Sequence, residues 1–291
     1  MPKNLMPGET KQVMTVMDDE KTGNKAHFKR QSKSQPDISV VLPTRNRPEL
    51  LREALKSLCA QRKVKFEVIV INDAGCEVVG VAEQFSENLD LTYISLTENC
   101  GSAAVRNKGC RLARGRYFAY LDDDDLFYSR HLSRLSAKLD RAPEIGLVYA
   151  DVLLLKQELA ADGTYRVIGR RTLAQDYDRA TMLHDCFIAP SAVMHRRECF
   201  ERLGGYDETM RWCYEDWDFL MRVDERYKIE RVAGVSVVVR LRNDGSNMSS
   251  VVKPERLAAA RLLQSRYGMG EIQPKTFWEV ADTLAIQRGA S

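Results

Sequence analysis

From Asp37 onward, short apolar runs alternate with stretches of helical periodicity, and this alternation restricts the fold more than any other feature of the chain. Ile38 to Leu42 is the first run. Pro48 then suits the first turn of a helix, where its missing N–H costs nothing, and Leu51, Ala54, Leu55 and Leu58 recur with helical spacing. Three more units follow: Phe66 to Ile71 with a helix over Val78 to Phe85, Leu91 to Leu96 with Ser102 to Ala113, and Tyr117 to Leu121 with Arg130 to Leu139. Strands joined through helices run parallel, and uniformly apolar strands need cover on both faces. The fold class is therefore α/β, a mainly parallel twisted sheet flanked by helices. The second half is less regular and predicts a smaller antiparallel portion: Leu147 to Leu155 and Tyr165 to Arg170 bracket Asp162-Gly163, a hairpin dipeptide. Ser191 to His195 and Val235 to Leu241 read as further strands, and Trp217 to Val223 as a helix.

The flanks differ from this body. Residues 1–36 are polar with little apolar periodicity and read as a disordered N-terminal tail; residues 37–250 read as the main domain. Residues 251–291 read as a helical extension, with helices over Glu255 to Tyr267 and Phe277 to Gln287 that pack on the sheet or on a partner. A formal charge of +3 with scattered basic residues excludes a nucleic-acid partner from the expectations. Seven cysteines without a C-x-x-C pair argue against a zinc site and a disulfide framework, and point to a reducing, cytoplasmic setting. No apolar stretch is long enough for a transmembrane segment. Peripheral contact of the basic tail with an anionic membrane and homo-oligomer formation both stay open.

Polar residues gather where the parallel strands end, the place where open α/β sheets collect ligands. Strand one runs into Pro43-Thr44-Arg45-Asn46-Arg47, strand two into Asn72-Asp73, strand three towards Asn99-Cys100-Gly101, and strand four into the run Asp122 to Asp125. Were the last segment extended, Asp122 and Asp124 would point one way and Asp123 and Asp125 the other, giving a pair able to share one cation. Hard oxygen ligands suit Mg²⁺ or Mn²⁺. A solvated acidic loop is the plainer reading of such a run. Asp73 can accept from a ribose hydroxyl or a base N–H, or simply be a turn residue; Arg106 can offer its fork to phosphate, or lie on a helix surface. A second acidic cluster, Glu215 and Asp216 beside Trp217, follows Gly204-Gly205-Tyr206-Asp207. Adjacent helical positions diverge by about 100°, so Glu215 and Asp216 cannot both aim at one atom: one can be a base while the other binds substrate, or both can simply favour a helix N-terminus through its dipole.

In this order, Val40 to Arg47, Glu67 to Asp73, Asn99-Cys100-Gly101 with Arg106-Asn107-Lys108-Gly109, Leu121 to Asp125, and Gly204 to Asp207 with Glu215-Asp216 resemble the successive motifs of the family 2 glycosyltransferases. The resemblance covers about Ile38 to Ser249 and implies the GT-A fold. It implies an inverting, metal-dependent transfer of a sugar from a nucleotide-diphosphate donor, expected to be UDP-linked, to a hydroxyl of a glycan, lipid-linked or small-molecule acceptor, as in polysaccharide biosynthesis. In it Pro43, Thr44, Arg45, Asn46, Asp73, Arg106, Asp122 and Asp123 hold the donor. The pair Asp122 and Asp124 makes a D-x-D metal site for Mn²⁺ or Mg²⁺, with Asp122 also near the ribose. Asp216 is the general base, and Glu215 and Trp217 shape the acceptor side. The competing reading is a catalytically inactive nucleotide-sugar or glycan-binding module of the same fold. A prenyl synthase reading of the aspartate run would require surrounding helices, against the β-rich lead-in. One departure stands out: many members carry a histidine after the last core strand, and Arg240 to Asn247 contains none. Arg240 or Arg242 then either neutralises diphosphate or lies on the surface, while His184 and His195 read as ordinary surface or packing residues.

Overall fold

The computed structural model describes residues 17–19, 24–29, 34–211, 213–244 and 254–289. Among them, eleven strands form one sheet. They are β1 (Met17–Asp19), β2 (Asn24–Lys29), β3 (Ile38–Thr44), β4 (Phe66–Asn72), β5 (Asp90–Ser95), β6 (Tyr117–Tyr120), β7 (Leu126–Phe127), β8 (Ile145–Leu159), β9 (Tyr165–Leu173), β10 (Val193–Arg196) and β11 (Lys228–Arg242). The order is β1-β2-β5-β4-β3-β6-β10-β8-β11-β7, with β9 added to β8. Strands β5, β4, β3 and β6 are mutually parallel, as the four βα units require, whereas β10 is antiparallel to both β6 and β8. The Asp162-Gly163 hairpin joins β8 to β9 in antiparallel register.

Helix α1 (Pro48–Cys59) buries Leu51, Ala54, Leu55 and Leu58 completely, the face set by their spacing. Each such leucine contributes roughly 1.5–3 kcal/mol of burial. In β3 the consecutive residues Val40, Val41 and Leu42 are all fully buried, so both faces of the sheet are covered. The remaining helices are α2 (Val79–Glu83), α3 (Ser102–Leu112), α4 (His131–Arg141), α5 (Arg179–Met182), α6 (Arg197–Leu203), α7 (Glu215–Asp224), α8 (Pro254–Tyr267) and α9 (Phe277–Gly289). No described helix is long and apolar enough to cross a membrane.

Register places the site. Thr44 pairs with Asn72 and Asn72 with Ser95, so β3, β4 and β5 end at one level and their following loops meet. After β6 the chain turns at once, with Asp125 N–H donating to Asp122 O at 3.0 Å, because β7 is captured by β11 through Leu126–Val238 and Phe127–Val237 pairing.

Two expectations are corrected. The tail expected over residues 1–36 contributes β1 and β2, and β2 lies antiparallel to β5, whose backbone edge is open to a further strand. The rest of that expectation (residues 1–16, 20–23 and 30–33), like residues 245–253, lies outside the described residues. The aspartate run is a tight turn rather than an extended segment, so its side chains fan out instead of alternating.

Candidate active site

The loops at the carboxyl ends of β3, β4, β5 and β6 line a cavity of about 730 Å³, closed on the opposite side by the start of α7 and by residues from α8 and the segment before α9. The aspartates of the turn meet different sets of partners, with Arg47 shared by Asp123 and Asp124. Asp122 accepts from Arg106 Nη2 at 2.9 Å and keeps about a third of its side chain open to the cavity. Asp123 accepts from Thr44 Oγ1 at 2.8 Å and Arg47 Nη1 at 3.0 Å. Burial and the neighbouring Asp124 raise its pKa to about 6, against the pull of Arg47 and Thr44. Asp124 accepts from Arg47 at 3.2 Å and from Arg242. Asp125 is buried and accepts from Ser191 Oγ at 2.6 Å; burial and then the charges of Asp124 and Asp122 drive its pKa well above the carboxylate range.

Arginines therefore balance this turn from within. Arg240 and Arg242 are both buried, which removes the surface alternative for them. Arg240 donates to the Asp124 carbonyl and to Glu53, and Arg242 pairs with Asp124. Among the described residues no three His, Cys, Asp or Glu side chains converge as a ready-made ion cage. Asp122 and Asp124 do both line the cavity as hard oxygen donors, and two carboxylates completed by substrate phosphates and water suit Mg²⁺ or Mn²⁺. The donor set fits such an ion.

On the facing side, Asp216 lies in the first turn of α7 and lines the cavity. Burial and then the charge of Glu215 raise its pKa to about 7, against the pull of Arg106, which suits a proton acceptor near neutral pH. Arg106 reaches both acidic clusters, with one nitrogen on Asp122 and the other on Glu215. Burial works against its charge, yet Asp122 and Glu215 hold its pKa well above the ordinary value.

The other expected residues fall as follows. Pro43 and Arg45 line the cavity, Arg45 with its side chain exposed. Asp73 lines it too, but its two carboxylate oxygens accept the backbone N–H groups of Cys100 (2.6 Å) and Gly101 (3.0 Å), so it also fixes the loop before α3. Asn46, in the left-handed region at φ 58°, does not line the cavity; its Oδ1 accepts from Cys76 N–H at 2.6 Å and ties two loops together. Glu215 also lines the cavity, but it is buried and accepts a hydrogen bond from Arg106. Trp217 is 2% exposed, donates Nε1–H to Met182 O at 2.8 Å and stands off the cavity, so it offers no aromatic face to a sugar. Helical geometry explains the tryptophan: with Asp216 towards the cavity, position 217 turns into the core. His195 is fully buried between Tyr120 Oη (2.7 Å) and Arg196 O (2.8 Å), a packing residue, and His184 is exposed. Ser191 faces the aspartate turn, donating to Asp125 and accepting from the Asp122 N–H. Cavity residues that no pattern singled out include Cys186, Cys213, Glu255, Arg256, Lys275 and Phe277.

Residues 39–204 match the family model described as glycosyl transferase family 2. The chain belongs to glycosyl transferase family 2. Among its relatives, the glycosyltransferase YwdF of Bacillus subtilis is 32% identical over 251 residues, covering 86% of this chain and 91% of YwdF. A PGL/p-HBAD biosynthesis glycosyltransferase of Mycobacterium bovis is 25% identical, covering 80% of this chain and 87% of that one. In three dimensions the transferase resembles S. aureus TarS 1-349 in complex with UDP-GlcNAc, with a TM-score of 0.59, 19% identity, and coverage of 82% of this chain and 68% of that one. It covers 41% of a longer TarS chain. The mannosyltransferase PcManGT from Pyrobaculum calidifontis, solved with GDP-Man and Mn²⁺, aligns with a TM-score of 0.54 and 20% identity, over 81% and 62% of the two chains. These likenesses establish the GT-A fold. Several of the transferase's motif residues hold this architecture. Asn107 Oδ1 accepts from Tyr206 N–H at 2.8 Å while its Nδ2 donates to Tyr206 O, docking Gly204-Gly205-Tyr206 onto α3. A Cβ at Gly109 would stand 2.4 Å from Val41, so glycine lets α3 approach β3.

Proposed function

We propose that this transferase moves a sugar, with inversion, from a nucleotide-diphosphate donor to an acceptor hydroxyl, using Asp216 as general base. The observation that carries the reading is the separation of two acidic sites by one guanidinium: Arg106 stands between Asp122, in the turn after β6, and Glu215, beside Asp216. Asp216 takes the proton of the acceptor O–H as that oxygen bonds to the anomeric carbon. The bond from that carbon to the diphosphate breaks on the opposite side, and the nucleoside diphosphate leaves with the electron pair. Thr44, Arg45 and Asp73 form the nucleoside wall, and Arg47 and Arg106 supply positive charge near the leaving group. Asp122 and Asp124 would hold Mn²⁺ or Mg²⁺, whose contribution when bound is neutralisation of charge on the diphosphate. A UDP-linked donor is favoured by the likeness to the TarS complex with UDP-GlcNAc, and a divalent ion by the presence of Mn²⁺ in the PcManGT complex.

The test is protection against thermal unfolding by UDP-sugars and GDP-mannose, with and without Mn²⁺. One nucleotide class should raise the melting temperature in the presence of Mn²⁺, and D124A should abolish the Mn²⁺-dependent part. A donor shift unaffected by Mn²⁺ and by D124A would remove the ion from the reading.

A further inference from the structure

We infer that α8 is a brace for the base-bearing helix, and that Arg256 is a positioning residue acting on Asp216 through Tyr214. This rests on the assignment of Asp216 as base. Tyr214 immediately precedes α7 with φ 63° and ψ 7°, a left-handed conformation unusual for a bulky side chain, and no side chain caps the helix there. A residue persists in such a conformation only where its surroundings fix it. Two positions further on stands Asp216, so the rotation at Tyr214 sets the direction in which α7 begins and the carboxyl is aimed.

Arg256 supplies the fixing contacts. It is 6% exposed, its Nε donates to Tyr214 Oη at 3.1 Å, and its guanidinium carbon lies 5.3 Å from the centre of the tyrosine ring. Its Nη2 donates to the carbonyl of Lys275 at 2.6 Å, which anchors the arginine to the segment leading into α9. Lys275 is itself tied to Asp185 at 2.8 Å. On its other side Tyr214 meets Trp217 edge-on, with ring centres 5.5 Å apart. The far end of α8 grips α7 a second time: Arg266 Nη1 and Tyr267 Oη each donate to Asp218 Oδ1 at 2.8 Å, and Asp218 is fully buried. Contacts at both ends of α8 thus converge on the first turn of α7, from residues well outside the matched span 39–204. A helical pair read from sequence as an appendage is part of the machinery that aims the base.

A double-mutant cycle tests this, because glycine adopts the left-handed conformation without strain and makes the clamp redundant. With 5-fluorotryptophan incorporated and the Trp217 line assigned by its loss in W217F, R256A should move that ¹⁹F resonance. In the Y214G background R256A should leave it in place. With UDP-GlcNAc or GDP-mannose, whichever the wild type turns over with Mn²⁺, R256A should slow nucleotide release at least tenfold, with UDP or GDP affinity changed less than twofold. In the Y214G background the same substitution should cost less than threefold. Y214F, which deletes only the hydroxyl, covers the case in which R256A does not fold, and should slow release about threefold with affinity intact. An unmoved Trp217 resonance, equal losses in both backgrounds, or a loss confined to acceptor KM overturns the brace; the last would make Arg256 a substrate contact. The resonance decides even where neither donor turns over. D216N separates the two ideas: a fully active D216N removes the base assignment, whereas an inactive D216N with equal R256A losses removes the brace alone.

Discussion

Replacing Asp216 by Asn should stabilise this protein while ending transfer, and the size of the effect follows from the site. Asparagine has the same shape and its Oδ1 can still accept the Trp217 N–H that Asp216 accepts at 2.9 Å, so the substitution changes charge and little else. In the folded protein the carboxyl has its pKa raised from 3.8 to about 7. A carboxyl raised in this direction binds its proton more tightly folded than unfolded. Its contribution to stability is therefore fully present below about pH 4 and is lost as pH rises to about 7. Each unit corresponds to about 1.4 kcal/mol, so the whole loss approaches ~4 kcal/mol, of which roughly 2–3 kcal/mol falls between pH 5 and pH 8. Asparagine does not ionise and escapes that loss. With about 2–4 °C per kcal/mol for a domain of this size, the melting temperature of D216N should gain some 5–10 °C on the wild type between pH 5 and pH 8. Calorimetry at several pH values measures it. A gap that does not change with pH, or a D216N that melts below the wild type at pH 8, refutes the claim that a charge is held there at a cost. Donor binding should persist in the same variant with transfer lost, since Asp216 is apart from the nucleoside wall.

Further outcomes follow from neighbouring contacts. E215Q removes the charge that helps raise the Asp216 pKa and leaves Arg106 to lower it further, so the acid limb of the pH–rate profile should move down by about one unit; a stationary limb would show that Glu215 does not tune the base. W217F deletes the donor to Met182 O, and denaturant titration should report a loss of about 1–2 kcal/mol with acceptor KM unchanged; a raised KM would return Trp217 to the acceptor side. G109A forces a methyl to within 2.4 Å of Val41 and should cost about 1–3 kcal/mol, partly recovered in V41A/G109A; a neutral G109A contradicts the close approach of α3 to β3.

The parallel half was legible because each of its signals is local. In β3, β4 and β6 the apolar runs are buried along nearly their whole length, β5 mixes buried and partly buried positions, and α1 shows the buried face that its spacing demands. The meeting of loops at the strand ends needed only the rule for open sheets. What was not legible depends on partners distant in sequence. The extended reading of Asp122 to Asp125 failed because β7 pairs with β11, more than a hundred residues away, and that capture bends the chain into a turn. Strand β2 carries too few apolar residues to announce itself and depends on the free edge of β5.

The same distinction explains the charges. A run of four acids reads as a demand for a cation, and a metal is the obvious supplier when only the run is visible. In the folded chain much of that demand is met by Arg47, Arg106, Arg240 and Arg242, which come from three separate segments and share no motif. The Asp124 carboxylate takes two of these guanidiniums, one of them from β11. A buried carboxylate left without such partners would protonate, as the raised pKa values of Asp123 and Asp125 show for the positions where burial outweighs the arginines. On the proposed reading, a divalent ion held by Asp122 and Asp124 would compete with Arg47 and Arg242 for Asp124. The guanidiniums so released would be available to the diphosphate of the proposed donor, where positive charge assists departure of the leaving group. Removing Arg242 would accordingly tighten the ion while slowing release of the nucleotide, a divergence that a simple ligand or a simple surface residue could not produce.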